Sequence, residues 1–313
     1  MKHSMRVIVL GAMVGLGLTA CASGGGGKLR GSKYDLGQYL AKQGKSEEAI
    51  TAYQQSLQLD AEDPTPRQAL AAAYFAKGWR TQAVQEWETV LEKSSTDPTF
   101  YHKEGKPDHK AEWIADGIEA NKKTVEALVE VYTTMAGEAV KESRWADAAK
   151  DWKRVTELQP SSSEGWLGLA RAFKKLKDVE GAYPAWKKAA ELLPKEPEPF
   201  KDLGYVCFAL EKLNEAEAAF RRYSVLKPDD PLGYNNHGTV LAKLDKFEEA
   251  QSTFDKALAI QKDMVQALNG KATAYFYQKD YVNARKTWAH VLDLYPDDAT
   301  ATENIRTLVK MGY

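Results

Sequence analysis

Cysteine is almost absent: Cys21 and Cys207 are the only two in 313 residues. Two thiols build neither a disulfide framework nor a thiolate metal cage. Five scattered histidines include no His-Glu-x-x-His pair, which excludes the common zinc-peptidase arrangement. Neither sign of charge prevails. Forty-three Lys+Arg against 44 Asp+Glu leave a formal charge of -1, so no broad basic field exists to hold a nucleic-acid backbone. There is no Gly-x-Ser-x-Gly elbow, and the glycine run Gly24 to Gly27 follows no strand that would make it a phosphate cradle. With every catalytic constellation missing, no enzyme activity, metal or cofactor is expected. What the chain does have is 43% hydrophobic and 28% charged residues, the composition of a folded chain with a sizeable core.

Lys2 and Arg6 precede an apolar and small-residue stretch, Val7 to Leu18. That is signal-peptide length and short of the ~20 residues needed to span a bilayer. It ends in Leu18-Thr19-Ala20-Cys21, which resembles the bacterial lipobox. The resemblance implies a signal peptide over 1–20, cleavage before Cys21, and acyl chains on Cys21; ordinary secretory cleavage at Ala20-Cys21-Ala22 is the alternative. Ser23 to Gly27 then reads as a flexible tether within a 21–29 linker. Several acyl chains on one residue anchor stably, at ~0.8 kcal/mol per buried methylene. Ala22 and Ser23, with no Asp after the cysteine, resemble the signal for the outer membrane of enteric bacteria. Removing 1–20 takes away Lys2 and Arg6 and no acid, moving the formal charge from -1 to -3 and disfavouring adhesion to anionic lipid.

A period of 34 organises residues 30–313. Registers starting at 30, 64, 129, 163, 197, 231 and 265 stack seven copies. Column 8 then reads Gly37, Ala71, Ala136, Ala170, Gly204, Gly238 and Ala272. Column 20 is Ala49, Ala83, Ala148, Ala182, Ala216, Ala250 and Ala284. Column 24 is Tyr53, Trp87, Trp152, Trp186, Phe220, Phe254 and Trp288. These columns resemble the tetratricopeptide repeat, which implies an all-α, right-handed α-solenoid of about seven helix-turn-helix units. Small residues at 8 and 20 let helices A and B approach, and the aromatic at 24 fills the angle between repeats. Pro160, Pro194, Pro228 and Pro296 are placed to stop helix B. Lys33 and Arg67 at column 4, with Ala61 and Ser95 where proline is expected, mark an N-terminal capping pair. Pro184 at column 22 should delay or kink its helix.

Two segments depart from the period. Residues 98–128 form an insertion: a surface loop, then a helix capped by Asp108 with Ala111, Ile114, Ile118, Val125 and Leu128 on one face, running into helix A of the third repeat. Its His102, Glu104, Asp108 and His109 lack the i, i+4 register that aims two imidazoles at one ion and read as a solvated loop. Residues 298–311, with Ala301, Ile305, Leu308 and Val309 near helical spacing, read as a capping helix. His237 at column 7 and Cys207 at column 11 are expected to be a hydrogen-bonded and an inert core side chain respectively.

The resemblance places binding on the concave surface, formed by helix A columns 2, 5, 9, 12 and 13. Those columns supply Arg171, Lys174 and Lys175, then Lys201, Tyr205 and Phe208, then Asn235, and finally Asn269, Phe276 and Tyr277. Asparagines, aromatics and a basic end suit an extended peptide, whose main chain asparagine can satisfy. A solvated face with aromatics packing sideways is the competing reading. The carboxylate clamp of chaperone-binding relatives is matched at Lys201 and Asn236 but not at Tyr205, Gln266 and Gly270. The chain is thus expected to be a lipid-anchored, periplasm-facing, non-catalytic scaffold for envelope proteins. It resembles pilotin-type and cell-wall-regulator lipoproteins, leaving secretin or pilus assembly and regulation of peptidoglycan synthases or hydrolases both open.

Overall fold

The computed structural model describes residues 25–96 and 110–313, with side chains over 31–95 and 116–313. The lipobox with Cys21 lies outside the described residues, as do 97–109 with His102, Glu104, Asp108 and His109. The described residues form fifteen helices and no strand. They are α1 (Gly25–Lys42), α2 (Ser46–Leu59), α3 (Pro64–Ala76), α4 (Arg80–Thr96), α5 (Lys110–Lys141), α6 (Trp145–Leu158), α7 (Ser163–Leu176) and α8 (Val179–Leu192). There follow α9 (Pro197–Ala209), α10 (Leu213–Leu226), α11 (Pro231–Lys243), α12 (Phe247–Ile260), α13 (Val265–Tyr277), α14 (Tyr281–Leu294) and α15 (Ala299–Lys310). No described helix is long and apolar enough to cross a membrane. Two compact units divide the chain, one up to Thr124 and one from Val125.

The repeat is enforced at its turns. Column 15 is left-handed in all seven repeats: Gly44, Gly78, Ser143, Lys177, Glu211, Asp245 and Lys279 have φ between 56° and 78°. The amide of column 16 then donates to the carbonyl of column 11 at 2.8–3.0 Å, from Lys45 to Leu40 through Asp280 to Tyr275. This six-to-one bond closes helix A and reverses the chain. Helix B therefore always starts at column 17. It ends at column 30 in every repeat but the second, whose α4 runs on to Thr96. Prolines follow at column 32, but α2 and α12 stop at the same place with Ala61 and Lys262 there. The stop thus belongs to the packing as well as to proline.

Columns 8, 20 and 24 form the core. All seven column-20 alanines are buried at 0–1% exposure, and Trp186, Trp288, Phe220 and Phe254 are fully buried. The ring at column 24 lies over column 8 of its own repeat: a Cβ on Gly204 would meet Phe220 at 2.7 Å, and one on Gly238 would meet Phe254 at 2.8 Å. The same rings close over the following repeat. Trp152 covers Gly168, and Phe254 covers Gly270, each too closely for a Cβ to stand between.

Four expectations are corrected. Helix α1 begins at Gly25, so 25–29 are helical rather than linker; once a helix is nucleated, each added residue gains a hydrogen bond. The inward face of α5 keeps Leu128 but departs from the expected one before it. Thr124, Leu128 and Val131 are buried and Ile118 is 65% exposed, because Thr124 satisfies its hydroxyl on the Ala120 carbonyl and accepts from Gln68 Nε2. Pro184 sits inside an unbroken α8, on its exposed side, where it removes one hydrogen bond without ending the helix. In α15, Ala301 and Leu308 are buried and Asp298 caps the helix, but Val309 is 55% exposed.

Candidate protein-binding surface

The side chains of interest all lie in the second unit, on helix A of successive repeats: α7, α9, α11 and α13. Local features hold the starts of the first three. Ser162 Oγ accepts from the Gly165 amide, Asp230 Oδ1 accepts from the Leu232 amide, and α9 and α11 begin with a proline. Fixing the helix start fixes where columns 2 to 13 point.

Much of the basic end is already neutralised. Arg171 grips Glu198 with two nitrogens, Nε donating at 2.9 Å and Nη2 also donating. That fork raises the guanidinium pKa and holds the Glu198 carboxyl below its usual range. Lys174 Nζ donates at 2.7 Å to Asp202 Oδ1. Asp202 is 3% exposed, and its Oδ2 has no donor. Lys201, by contrast, has no salt bridge among the described residues, and it lines a cavity of about 430 Å3 together with Lys174, Asp202 and Tyr205. Tyr205 is 45% exposed, rests edge-on against Phe220, and accepts a hydrogen bond from Asn236 Nδ2 at 2.7 Å.

The other expected groove residues divide. Phe208 and Phe276 are half-buried and pack inward, Phe276 against Trp288 with ring centroids 6.0 Å apart. Sideways packing, not display in the groove, describes them, because column 12 touches the aromatic cluster around column 24. Asn235 is buried, and its Oδ1 has no partner. The adjacent Asn236 is the asparagine that lines the cavity. Asn269 reaches the Asp298 carboxylate only at 3.3 Å and longer. Tyr277 is 63% exposed and stacks on Phe247, and neither it nor Asn269 lines the cavity.

Other polar groups are accounted for by the core. His237 Nε2 lies 3.1 Å from Glu217 Oε1, and burial lowers the His237 pKa. Cys207 is fully buried, which pushes its thiol up to about 11 and keeps it protonated. No group of three or more His, Cys, Asp or Glu among the described residues is arranged to hold a metal ion.

Sequence models of the repeat match residues 37–78, described as TPR repeat, and 133–197 and 235–299, described as tetratricopeptide repeat. Together they span more than half of the chain. The chain belongs to the tetratricopeptide-repeat family. Repeats of this family are protein-interaction scaffolds, some of them peptide-binding. No curated protein matches the chain. Among solved structures, YrrB, described as a TPR protein with an unusual peptide-binding site, is 21% identical. The alignment covers 60% of this chain and 95% of YrrB, with a TM-score of 0.53. The MamA protein is 19% identical over 53% of this chain and 91% of its own, with a TM-score of 0.49. The first TPR of Spaghetti, bound to an HSP90 peptide, is 24% identical over 37% of this chain and 93% of its own, with a TM-score of 0.36. These likenesses are of fold.

Asn236, Leu232 and Asp202 line the cavity and are not among the residues expected to bind. Column 6, which holds Asp202 and Asn236, lies outside the 2, 5, 9, 12, 13 set. The available signal is that column 6 is Gly in the fourth and seventh repeats and polar in the two between.

Proposed function

We propose that this tetratricopeptide-repeat chain is a non-catalytic scaffold, anchored by lipid at Cys21 to the bacterial outer membrane, that holds segments of envelope-assembly proteins on the helix-A face of its later repeats. The observation that carries the binding reading is the convergence of Lys201, Tyr205, Leu232 and Asn236 on one cavity, where Asp202 is already paired with Lys174 and Asp230 caps α11. A cation without a salt bridge and two exposed side chains with apolar bodies are what a partner segment would cover. The anchoring reading is supported by Leu18-Thr19-Ala20-Cys21 alone.

Two experiments test these parts separately. A photo-crosslinking residue in place of Tyr205, compared with one in place of the exposed Lys256 on α12, should capture an envelope protein from position 205 only. Capture from position 256 alone would move the binding surface to the helix-B side. Secretin or pilus subunits among the products point to assembly, and wall synthases or hydrolases to wall regulation. Cys21→Ala should release the protein from the membrane fraction in detergent-free buffer, and retention there removes the anchor.

A further inference from the structure

The last repeat carries a second concave surface, built on its helix B. Residues 281, 282, 285, 286 and 289 are spaced to share one face of α14, while Ala284, Trp288 and Val291 make its buried face. The outward face and Tyr313 line a cavity of about 420 Å3, at the small end of the ~300–1,000 Å3 usual for ligand sites. Past the left-handed Gly312, the Tyr313 amide donates to the Leu308 carbonyl at 3.0 Å, and the Tyr313 ring lies 4.3 Å from that of Tyr281. Val282 is 76% exposed, more than any other large apolar side chain among the described residues, and Tyr313 is 51% exposed.

Charge on this face has one sign. Arg285 and Lys286 line the cavity with no acidic side chain beside them, and neither forms a salt bridge among the described residues. Lys279 and Lys310, shortly before Tyr281 and Tyr313 in the chain, are two more exposed cations without a salt bridge there. Asp280 is the neighbouring acid, and Asn283 holds both its oxygens, Oδ1 through the amide and Oδ2 through Nδ2. Counting Asp280 and a main-chain carboxylate at Tyr313 against the four cations still leaves an excess of two positive charges. Asp293 stands two turns beyond Lys286, about 10 Å along the helix.

The formal charge of -1 opposes adhesion of the whole molecule to anionic lipid, so a contact of that kind has to be local, and the local excess is here. We infer that this corner of the last repeat docks on an anionic phospholipid surface. Arg285 and Lys286 meet headgroup phosphates, and Val282, Tyr281 and Tyr313 enter the zone between headgroups and acyl chains. Arginine and lysine can lay their stems along apolar surface while the charge stays wet, and tyrosine suits a boundary that is apolar on one side. A protein segment is the poorer occupant, because the six lining residues include no asparagine or glutamine to satisfy its main chain. The contact goes beyond the Cys21 anchor and takes from that reading only a bilayer within reach. A tether that already holds the chain at the bilayer lets a weak surface contact form.

The test places the full-length chain, as the cell processes it, on phosphatidylcholine vesicles with or without about one-third phosphatidylglycerol. An environment-sensitive fluorescent residue replaces Ala289, exposed at the cavity, or Ser161, exposed in the turn between α6 and α7. Emission from position 289 should shift to the blue on the anionic vesicles and stay aqueous on phosphatidylcholine alone. Position 161 should stay aqueous on both. Arg285→Gln with Lys286→Gln should lower the ratio of inserted to free probe by about tenfold or more. Arg285→Lys with Lys286→Arg should keep the shift, which separates lost charge from a damaged fold. No shift at 289 on anionic vesicles, an equal shift at 161, or a shift that survives the double glutamine variant overturns the lipid surface. No shift together with capture of a protein by a photo-crosslinking residue at 289 gives the face to a protein partner instead. Vesicle flotation reads the anchor separately. A chain that floats on both vesicles without the shift keeps the anchor and loses this surface, and one that floats only on anionic vesicles, with the shift, does the reverse.

Discussion

Column 8 and column 24 vary together across the seven repeats. Where column 8 is Gly, column 24 is Tyr or Phe: Gly37 with Tyr53, Gly204 with Phe220, Gly238 with Phe254. Where it is Ala, column 24 is Trp: Ala71 with Trp87, Ala136 with Trp152, Ala170 with Trp186, Ala272 with Trp288. The geometry supplies the reason. In the sixth repeat a Cβ on Gly238 would stand 2.8, 2.9 and 3.1 Å from ring atoms of Phe254, so the ring must retreat by roughly 0.7 Å to reach ordinary contact. It has nowhere to go, because the tip of the ring packs still more closely on Gly270. Gly238→Ala should therefore cost ~1–3 kcal/mol of overpacking, offset by ~1 kcal/mol from the better helix former, for a net loss of ~0–2 kcal/mol. The third repeat already holds the other solution, Ala136 with Trp152 closing over Gly168. Gly238→Ala with Phe254→Trp, keeping Gly270, reproduces that set. Urea unfolding followed by helical circular dichroism on both singles and the double should give a favourable coupling of ~1 kcal/mol or more. Additivity within ~0.5 kcal/mol would show that the two columns are chosen independently, and the packing argument would be wrong.

Asp151 is 7% exposed, and burial raises its carboxyl to about 6 from 3.8. Between those values the folded chain keeps a proton that the unfolded chain has released, so Asp151 lowers stability as pH rises through the window and not beyond it. Asp151→Asn should be more stable by ~2–3 kcal/mol at pH 7 and converge with the parent near pH 4, and parallel urea midpoints across that range would refute the burial argument. Glu211→Gly and Lys279→Gly replace left-handed residues that carry a side chain with the residue that adopts φ near 60° freely. Each should raise the urea midpoint by the equivalent of ~1 kcal/mol, whereas a fall at both would contradict the turn assignment. Trp288→Ala empties a fully buried site between α13, α14 and α15 and should cost ~3–5 kcal/mol, visible as a shifted denaturation midpoint; an unchanged midpoint would contradict the assigned register.

The fold was legible because its determinants are local and repeated. Ala at column 20 and an aromatic at column 24 recur at fixed spacing, and the packing rewards them at every copy. The turn residue was not legible: Ser143, Lys177, Glu211 and Lys279 carry no turn signature, and the six-to-one bond imposes their left-handed φ. Groove residues were harder still, since a column number says which way a side chain points but not what already holds it. Arg171 points as expected and is spent on Glu198, while Lys201, one helical turn before Tyr205 on α9, forms no salt bridge among the described residues and lines the cavity.

The same logic explains why the candidate site falls in the fifth and sixth repeats. Column 6 meets the aromatic of the preceding repeat, and at Gly168 and Gly270 that ring closes down on bare backbone. A side chain at column 6 cannot lie beneath such a ring, so Asp202 and Asn236 must turn toward the helix-A face. Both line the cavity, together with Trp186 from the repeat before the fifth. Columns 8, 11, 15, 20 and 24 are committed to folding in every copy, which leaves columns 2, 5, 6 and 9 free to differ between copies. Binding chemistry can therefore be written into two repeats without disturbing the period that folds all seven. Leu232 at column 2, Lys201 at column 5, Asn236 at column 6 and Tyr205 at column 9 occupy those free positions.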